Sequence, residues 1–481
     1  MGSVTQHLDW SSSEPGVYTR EVQDVETLTT VLIDATAPTG HEQWAIMSAV
    51  RVSFPNSLSD PIPHLQRAWA ATTRFDPLIS ASLSEPGAAD GKRYMIWSKE
   101  KQDAWIKTTF HVQKDATSAN SLFSQLKPDQ TGLHWLPRTS EILMRLSHWK
   151  VDGMGSVMLW GNFLRFLAES IAQGTPDVDA KLPSEVDGVL PKSISNLFPT
   201  ANDAERTADL EKESNFMINQ LIKGAPSLGV PLKSGADRTT PPGVPTRTHA
   251  AFDETQTEAI IKACTEKQVS VSAMVHAALL RALSTLEQHP AVKNMAMVVP
   301  VNIRKFLPPP YNTSKQGTGV YISAYPLLVT DVQSKSFQEL ARETNLHYRL
   351  DLENVKTDSA GKPMSIVDMI PPFLPKFIAL MTTPPPPELP TQITPMVSSL
   401  GVLENHIQPD YNCGNGEKLE VEDFFLGTEM VIHDMCLHLW TLRGKLNTGF
   451  VFNSNYQDKS AMDELLAKTR AELLKGLGFT A

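Results

Sequence analysis

The feature that most constrains this chain is Ser147-His148-Trp149-Lys150-Val151-Asp152-Gly153, set between two segments of different periodicity. Residues 141–147 (EILMRLS) carry strand-type hydrophobicity, whereas residues 155–168 (GSVMLWGNFLRFLA) place Val157, Trp160, Leu164 and Leu167 at helical spacing. The chain must therefore pass from strand to helix across this heptapeptide. A histidine at the end of a strand, with an aspartate four positions on and a glycine to turn the chain, suits a buried base held in one orientation. Imidazole titrates near neutrality, so a histidine placed this way can remove a hydroxyl proton and return it to a leaving group.

Most other chemistries find no support in the chain. Its 481 residues, 41% of them hydrophobic, suffice for a large core and suggest two or three lobes. A net charge of -10 and a pI near 5.7 argue against a general nucleic-acid binder, though not against a local basic pocket. Cys264, Cys413 and Cys436 lie far apart without a CxxC pair, so neither a disulfide framework nor a zinc site is expected, and a reducing compartment fits. The first residues lack the basic and apolar regions of a secretory signal. Gln6 stands where a myristoylation start wants Ser or Thr, and no run approaches eighteen apolar residues. The expectation is a soluble, cytoplasmic monomer without metal.

Along the chain, strands are expected at 44–53, 93–98 and 141–147, and a helix at 62–73. From about 174 to 246 the composition shifts to charged and Pro/Gly/Thr-rich segments, a crossing region with one or two helices. A helix at 255–267 follows, then one capped by Ser270 or Ser272, a strand at 295–301, and another at 320–329. The proline-rich stretch 371–390 reads as an irregular or polyproline connector. Residues 429–444 and 445–453 alternate as a hairpin, and a helix at 459–476 closes the chain. The domain boundaries expected are 1–190, a linker at 191–246, and 247–481, in an α/β fold of two similar lobes.

Four separated pieces occur in one order: Ser147-His148-x-x-x-Asp152-Gly153, Pro300-Val301-Asn302-Ile303-Arg304, Ser398-Ser399-Leu400-Gly401, and Glu422-Asp423-Phe424-Phe425-Leu426-Gly427. Together they resemble the superfamily of CoA-dependent acyltransferases, which includes plant BAHD enzymes, peptide-synthetase condensation domains and fungal trichothecene O-acetyltransferases. The order, length and Asp-Gly segment look most like the fungal branch, the trichothecene 15-O-acetyltransferases. The resemblance implies two chloramphenicol-acetyltransferase-like lobes, each a mixed sheet with packed helices, and a tunnel between them. It implies a direct transfer of an acyl group, acetyl above all, from acyl-CoA to a small alcohol, with His148 as general base. It also implies that Asp152 points away from the histidine and pairs with Arg304, and that Gly153 lets the chain turn beside the base. By the same resemblance Ser399 lies near the oxyanion, and Asp423 opens a segment bordering the cofactor channel.

Two departures from the family pattern narrow the choice. Phe424 and Leu426 replace the Gly and Trp of the BAHD segment, which disfavours a plant-type enzyme. Ser147 stands where condensation domains usually carry a second histidine, which favours O-acylation. The rival readings are a stand-alone condensation domain using carrier-bound thioesters, and a condensation-like binding protein or cyclase that transfers nothing. His433 and His438, odd-spaced on one expected strand, would face opposite sides and form no metal pair. His276 reads as core or channel lining, Arg443, Lys445 and Lys305 as solvated charges that can also meet CoA phosphates. Gly317-Thr318-Gly319 lacks the helix and acid of a dinucleotide fingerprint.

Overall fold

Ile46–Ser53 is buried at nearly every position, as a strand covered on both faces must be, and the first half of the fold is organised around it. The computed structural model describes residues 9–87, 91–174, 189–198, 203–384 and 386–479. Their contacts divide into two units. The first comprises residues 1–199, 302–322 and 402–429; the second comprises 200–301, 323–401 and 430–481. The units are thus discontinuous in sequence, unlike cuts at 190 and 247. Arg304 packs in the first unit, although it follows the crossing segment in the chain. Part of that segment, 175–188 and 199–202, lies outside the described residues; the rest includes the helix Ala204–Lys223.

The first unit holds a six-stranded mixed sheet in the order Asp410–Asn412, Lys418–Thr428, Ile46–Ser53, Glu141–Leu146, Gly132–Leu136, Phe110–Val112. Every pairing is antiparallel except the last, which is parallel. The helix Gly153–Ala172 buries its apolar stripe in this unit, and Trp160 Nε1 donates to Ser48 Oγ at 2.8 Å. Register decides what meets at the sheet's end: Thr428 lies opposite Ile46, and Ile46 opposite Leu146. The segments before 46, after 146 and after 428 therefore leave the sheet together.

In the second unit the sheet order is Pro245–Arg247, Lys445–Asn453, Cys436–Leu442, Met396–Val402. The expected hairpin is present, Leu442 opposite Lys445, and Arg443 and Gly444 both take the positive φ (48° and 67°) of the tight turns that match strand twist. The helices Glu254–Glu266, Val271–Leu283, Phe337–Tyr348 and Lys459–Leu477 supply its core, and Ser270 Oγ caps the second of them by accepting from Ala273 N.

The irregular connector expected at 371–390 holds only beyond residue 382, since Ile370–Thr382 is an α-helix. Pro371 and Pro372 fall in the first turn, where backbone N–H groups have no intrahelical acceptor, so only Pro375 removes a bond. Burial of Ile370, Phe373, Leu374 and Phe377, with Phe373 stacked on Phe377 at 5.5 Å, offsets that loss. The periodicity of these apolar residues outweighs the proline count.

Candidate active site

His148 occupies the second position of a tight turn. Leu146 ends the strand, and Lys150 N donates back to Ser147 O at 3.0 Å. Lys150 is itself buried, with Nζ donating to Ile79 O at 2.7 Å and lying 4.9 Å from the Trp149 ring; burial lowers its pKa to about 8. The turn is therefore pinned on its far side. The His148 ring is half-buried: Nδ1 is buried with no hydrogen-bond partner among the described residues, which leaves Nε2 as the accessible nitrogen. Burial lowers the imidazole pKa, while the Asp152 carboxylate and the residue's own carbonyl partly oppose this. The neutral ring, able to accept a proton, is the favoured form.

Asp152 does not touch the imidazole. It caps the following helix, accepting from Gly155 N at 2.8 Å, and each of its oxygens receives Arg304 Nη1, at 2.8 and 2.9 Å. Tyr321 N also donates to it at 2.8 Å, and Gly319 N donates to Lys150 O at the same distance. One buried carboxylate thus joins the turn, the helix and the segment 302–322. A second carboxylate, Asp76, grips the same segment: its Oδ1 accepts Gly317 N and Thr318 N at 2.9 and 3.1 Å. Burial raises the Asp76 pKa to about 6 against those donors. The Gly317-Thr318-Gly319 sequence is thus a strap, not a phosphate loop.

Gly153 opens the helix and is not among the residues of positive φ. The close approach falls on Gly155, where a Cβ would lie 2.3 Å from Gly317 O and 3.0 Å from Arg304 Nη2. Asp423 is not brought to His148. It stands opposite Arg51, which is opposite Glu141, so it is five residues, roughly 17 Å, from the strand end that leads into the turn. There it is half-exposed and paired with Arg51 at 3.2 Å. Ser399 belongs to the second unit, is exposed, and is bonded to Ser272 Oγ at 3.0 Å.

His276 is buried with Nδ1 3.3 Å from Tyr348 Oη, a core arrangement. His433 precedes the strand and stacks on Tyr456 at 3.9 Å, so the expected alternation with His438, buried on Cys436–Leu442, does not apply. Lys305 and Lys445 are exposed. Among the described residues no group of three or more His, Cys, Asp or Glu side chains could hold a metal, and no helix is long and apolar enough to cross a membrane. Sequence reasoning missed Asp76 and Gly155, which carry no local signal, and also Glu42, whose Oε2 accepts Ser147 Oγ at 3.1 Å.

Superposed on solved structures, the chain matches the TRI3 trichothecene 15-O-acetyltransferase of Fusarium sporotrichioides with a TM-score of 0.78, covering 99% of both chains at 16% identity. The two chains share one fold. Residues 241–435 match the model of the phthiocerol/phthiodiolone dimycocerosyl transferase C-terminus. Among curated proteins, the chain is 28% identical to the O-acetyltransferase pigM of Monascus ruber over 98% of this chain and 87% of that one. It is 26% identical to a protein named loline biosynthesis cluster 1 transcription factor lolU1, of Epichloe uncinata, over 98% of this chain and 97% of that one. The resemblance read from four short motifs, to the acyltransferase superfamily with its chloramphenicol-acetyltransferase-like α/β fold, is found again in these matches.

Proposed function

We propose that this protein is an O-acyltransferase that moves an acyl group, acetyl above all, from acyl-CoA to a hydroxyl of a small secondary metabolite such as a trichothecene-like terpenoid. The observation that carries this reading is His148 itself: a neutral imidazole at a strand end, one nitrogen buried and the other accessible, on a turn pinned by buried groups. His148 Nε2 takes the proton of the acceptor hydroxyl as its oxygen attacks the thioester carbonyl. The tetrahedral adduct collapses, the C–S bond breaks, and the imidazolium returns the proton to the leaving thiolate. No acyl-enzyme forms. Asp152 and Arg304 have the architectural part, and Ser399 is the candidate donor to the oxyanion.

The relatives in fungal biosynthesis support a small-molecule acceptor, since pigM is named an O-acetyltransferase. The transcription-factor name of lolU1 favours a regulatory role for that protein; here the net charge of -10 opposes binding to nucleic acid. Three free, buried cysteines suit a cytoplasmic site of action. The test is incubation with acetyl-CoA and a panel of alcohols, following thiol release and ester mass. Acceptor-dependent thiol release that vanishes in His148→Ala is expected; turnover undiminished in that variant would overturn the proposed base.

A further inference from the structure

The sheet register brings a second turn against the one that carries His148. Ala45 N donates to Glu42 O at 3.1 Å, closing a turn over Glu42-Gln43-Trp44-Ala45 just before Ile46. This turn reaches the 147–150 turn at two points. Glu42 Oε2 accepts Ser147 Oγ at 3.1 Å, and the Trp44 ring lies 6.1 Å from the His148 ring, tilted by 54°. Glu429 pins the turn: Trp44 N donates to its carbonyl at 2.7 Å, Glu42 N to its Oε2 at 2.9 Å, and its own N to Ala45 O at 2.9 Å. Arg145, on the strand leading to His148, completes the pin by donating to Glu429 Oε1 from Nε and Nη2 at 3.0 and 2.8 Å. Arg145 and Glu429 are fully buried.

Trp44 sits at φ +66°, a conformation costly for a bulky residue, which persists only where surrounding bonds impose it. Here the imposed conformation sets an indole beside an imidazole. We propose that the Glu42–Ala45 turn is the positioning element for His148, with Trp44 walling the imidazole and Glu42 fixing Ser147, the residue before it. This rests on the reading of His148 as the base. The charged groups around the two turns are Glu42, Glu429, Arg145, His41, Lys127, Lys150 and Asp152; His41 lies 3.7 Å from Glu429 and 2.8 Å from Lys127 Nζ. Burial raises the Glu42 pKa, and one of its oxygens, Oε1, is buried without a hydrogen-bond partner among the described residues. Glu429 is pushed up by burial but held below its usual range by Arg145 and its other donors.

The test compares Trp44→Ala, Trp44→Phe and Glu42→Gln in the full chain, reading the His148 imidazole by ¹⁵N NMR across pH together with kcat and KM for acetyl-CoA. Trp44→Ala is expected to lower kcat ~10–100-fold, the scale of a misplaced catalytic group, with KM changed by less than about threefold. Its His148 titration midpoint should rise toward that of a free imidazole as water reaches the ring. Trp44→Phe should restore most of both. If Trp44→Ala does not fold, Glu42→Gln decides: altered His148 resonances support the element. Unchanged His148 titration and kcat in every variant that folds would overturn it. The NMR readout stands apart from turnover, so a base reading sunk by an active His148→Ala is distinguishable from failure of the positioning element.

Discussion

Arg304 Nη1 donates to both carboxylate oxygens of Asp152, at 2.8 and 2.9 Å, across 152 residues of chain and with both side chains almost wholly buried. With the bonds from Asp76 and Lys150 to residues 317–319, that pairing fastens the segment 302–322 beside the turn of His148. Asp152 lies four positions from the histidine, yet it is spent on the helix cap, the arginine and Tyr321 N rather than on the imidazole.

Breaking this pair by one partner leaves a buried charge uncompensated. Arg304→Met should lower the unfolding free energy by about 3–5 kcal/mol, measured by urea denaturation. Asp152→Ala should cost at least as much, because the helix cap and the ion pair are lost together. If either variant unfolded at the wild-type midpoint, the pair would not be a structural bracket.

His148→Ala should lower turnover ~10²–10⁴-fold while leaving the denaturation midpoint close to wild type. A comparable loss of stability would mean that the ring serves packing rather than chemistry.

The pH dependence follows from the direction of the His148 shift. Its folded pKa lies below the ordinary 6.5, so the neutral form is already dominant at neutrality. The profile of kcat/KM should be flat from pH 7 upward and fall on the acid side with a midpoint below 6.5. An acid limb centred above 6.5 would contradict a buried neutral base. For stability, the ring favours folding above its unfolded pKa, and this contribution is lost as pH falls through the lower folded value.

Asp76 gives an opposite slope. Its folded pKa of about 6 exceeds the ordinary 3.8, so between these values the native state holds more protons than the unfolded chain. This group alone makes stability fall as pH rises from 4 to 6, at up to about 1.4 kcal/mol per pH unit. Asp76→Asn should flatten that part of the stability curve, read as denaturation midpoints at pH 4, 5 and 6. An unchanged slope would mean that Asp76 ionises normally among its donors.

Gly155→Ala should destabilise by about 1–3 kcal/mol, since a backbone carbonyl 2.3 Å from the new Cβ cannot rotate aside. A thermal melt of the variant at the wild-type temperature would refute the close approach.

Much of the fold was legible in the chain itself. Ile46–Ser53, Glu141–Leu146, Gly153–Ala172 and the 436–453 hairpin follow from hydrophobic period and turn chemistry, which are local. Helix Ile370–Thr382 was misread because proline was weighed without the burial that offsets it. The strand-to-helix passage around His148 was fixed by residues 141–168 alone, and with it the site of the turn. Which groups surround that turn depended on strand register and on two buried carboxylates. Register put Glu42, Trp44 and Glu429 at the histidine's end of the sheet and Asp423 at the other; Asp152 and Asp76 drew 302–322 into the first unit. A short-range pattern can specify a turn, because its determinants lie within a few residues of it. The partners of a buried charge are chosen by desolvation and geometry across the folded chain, and only the tertiary structure brings them together.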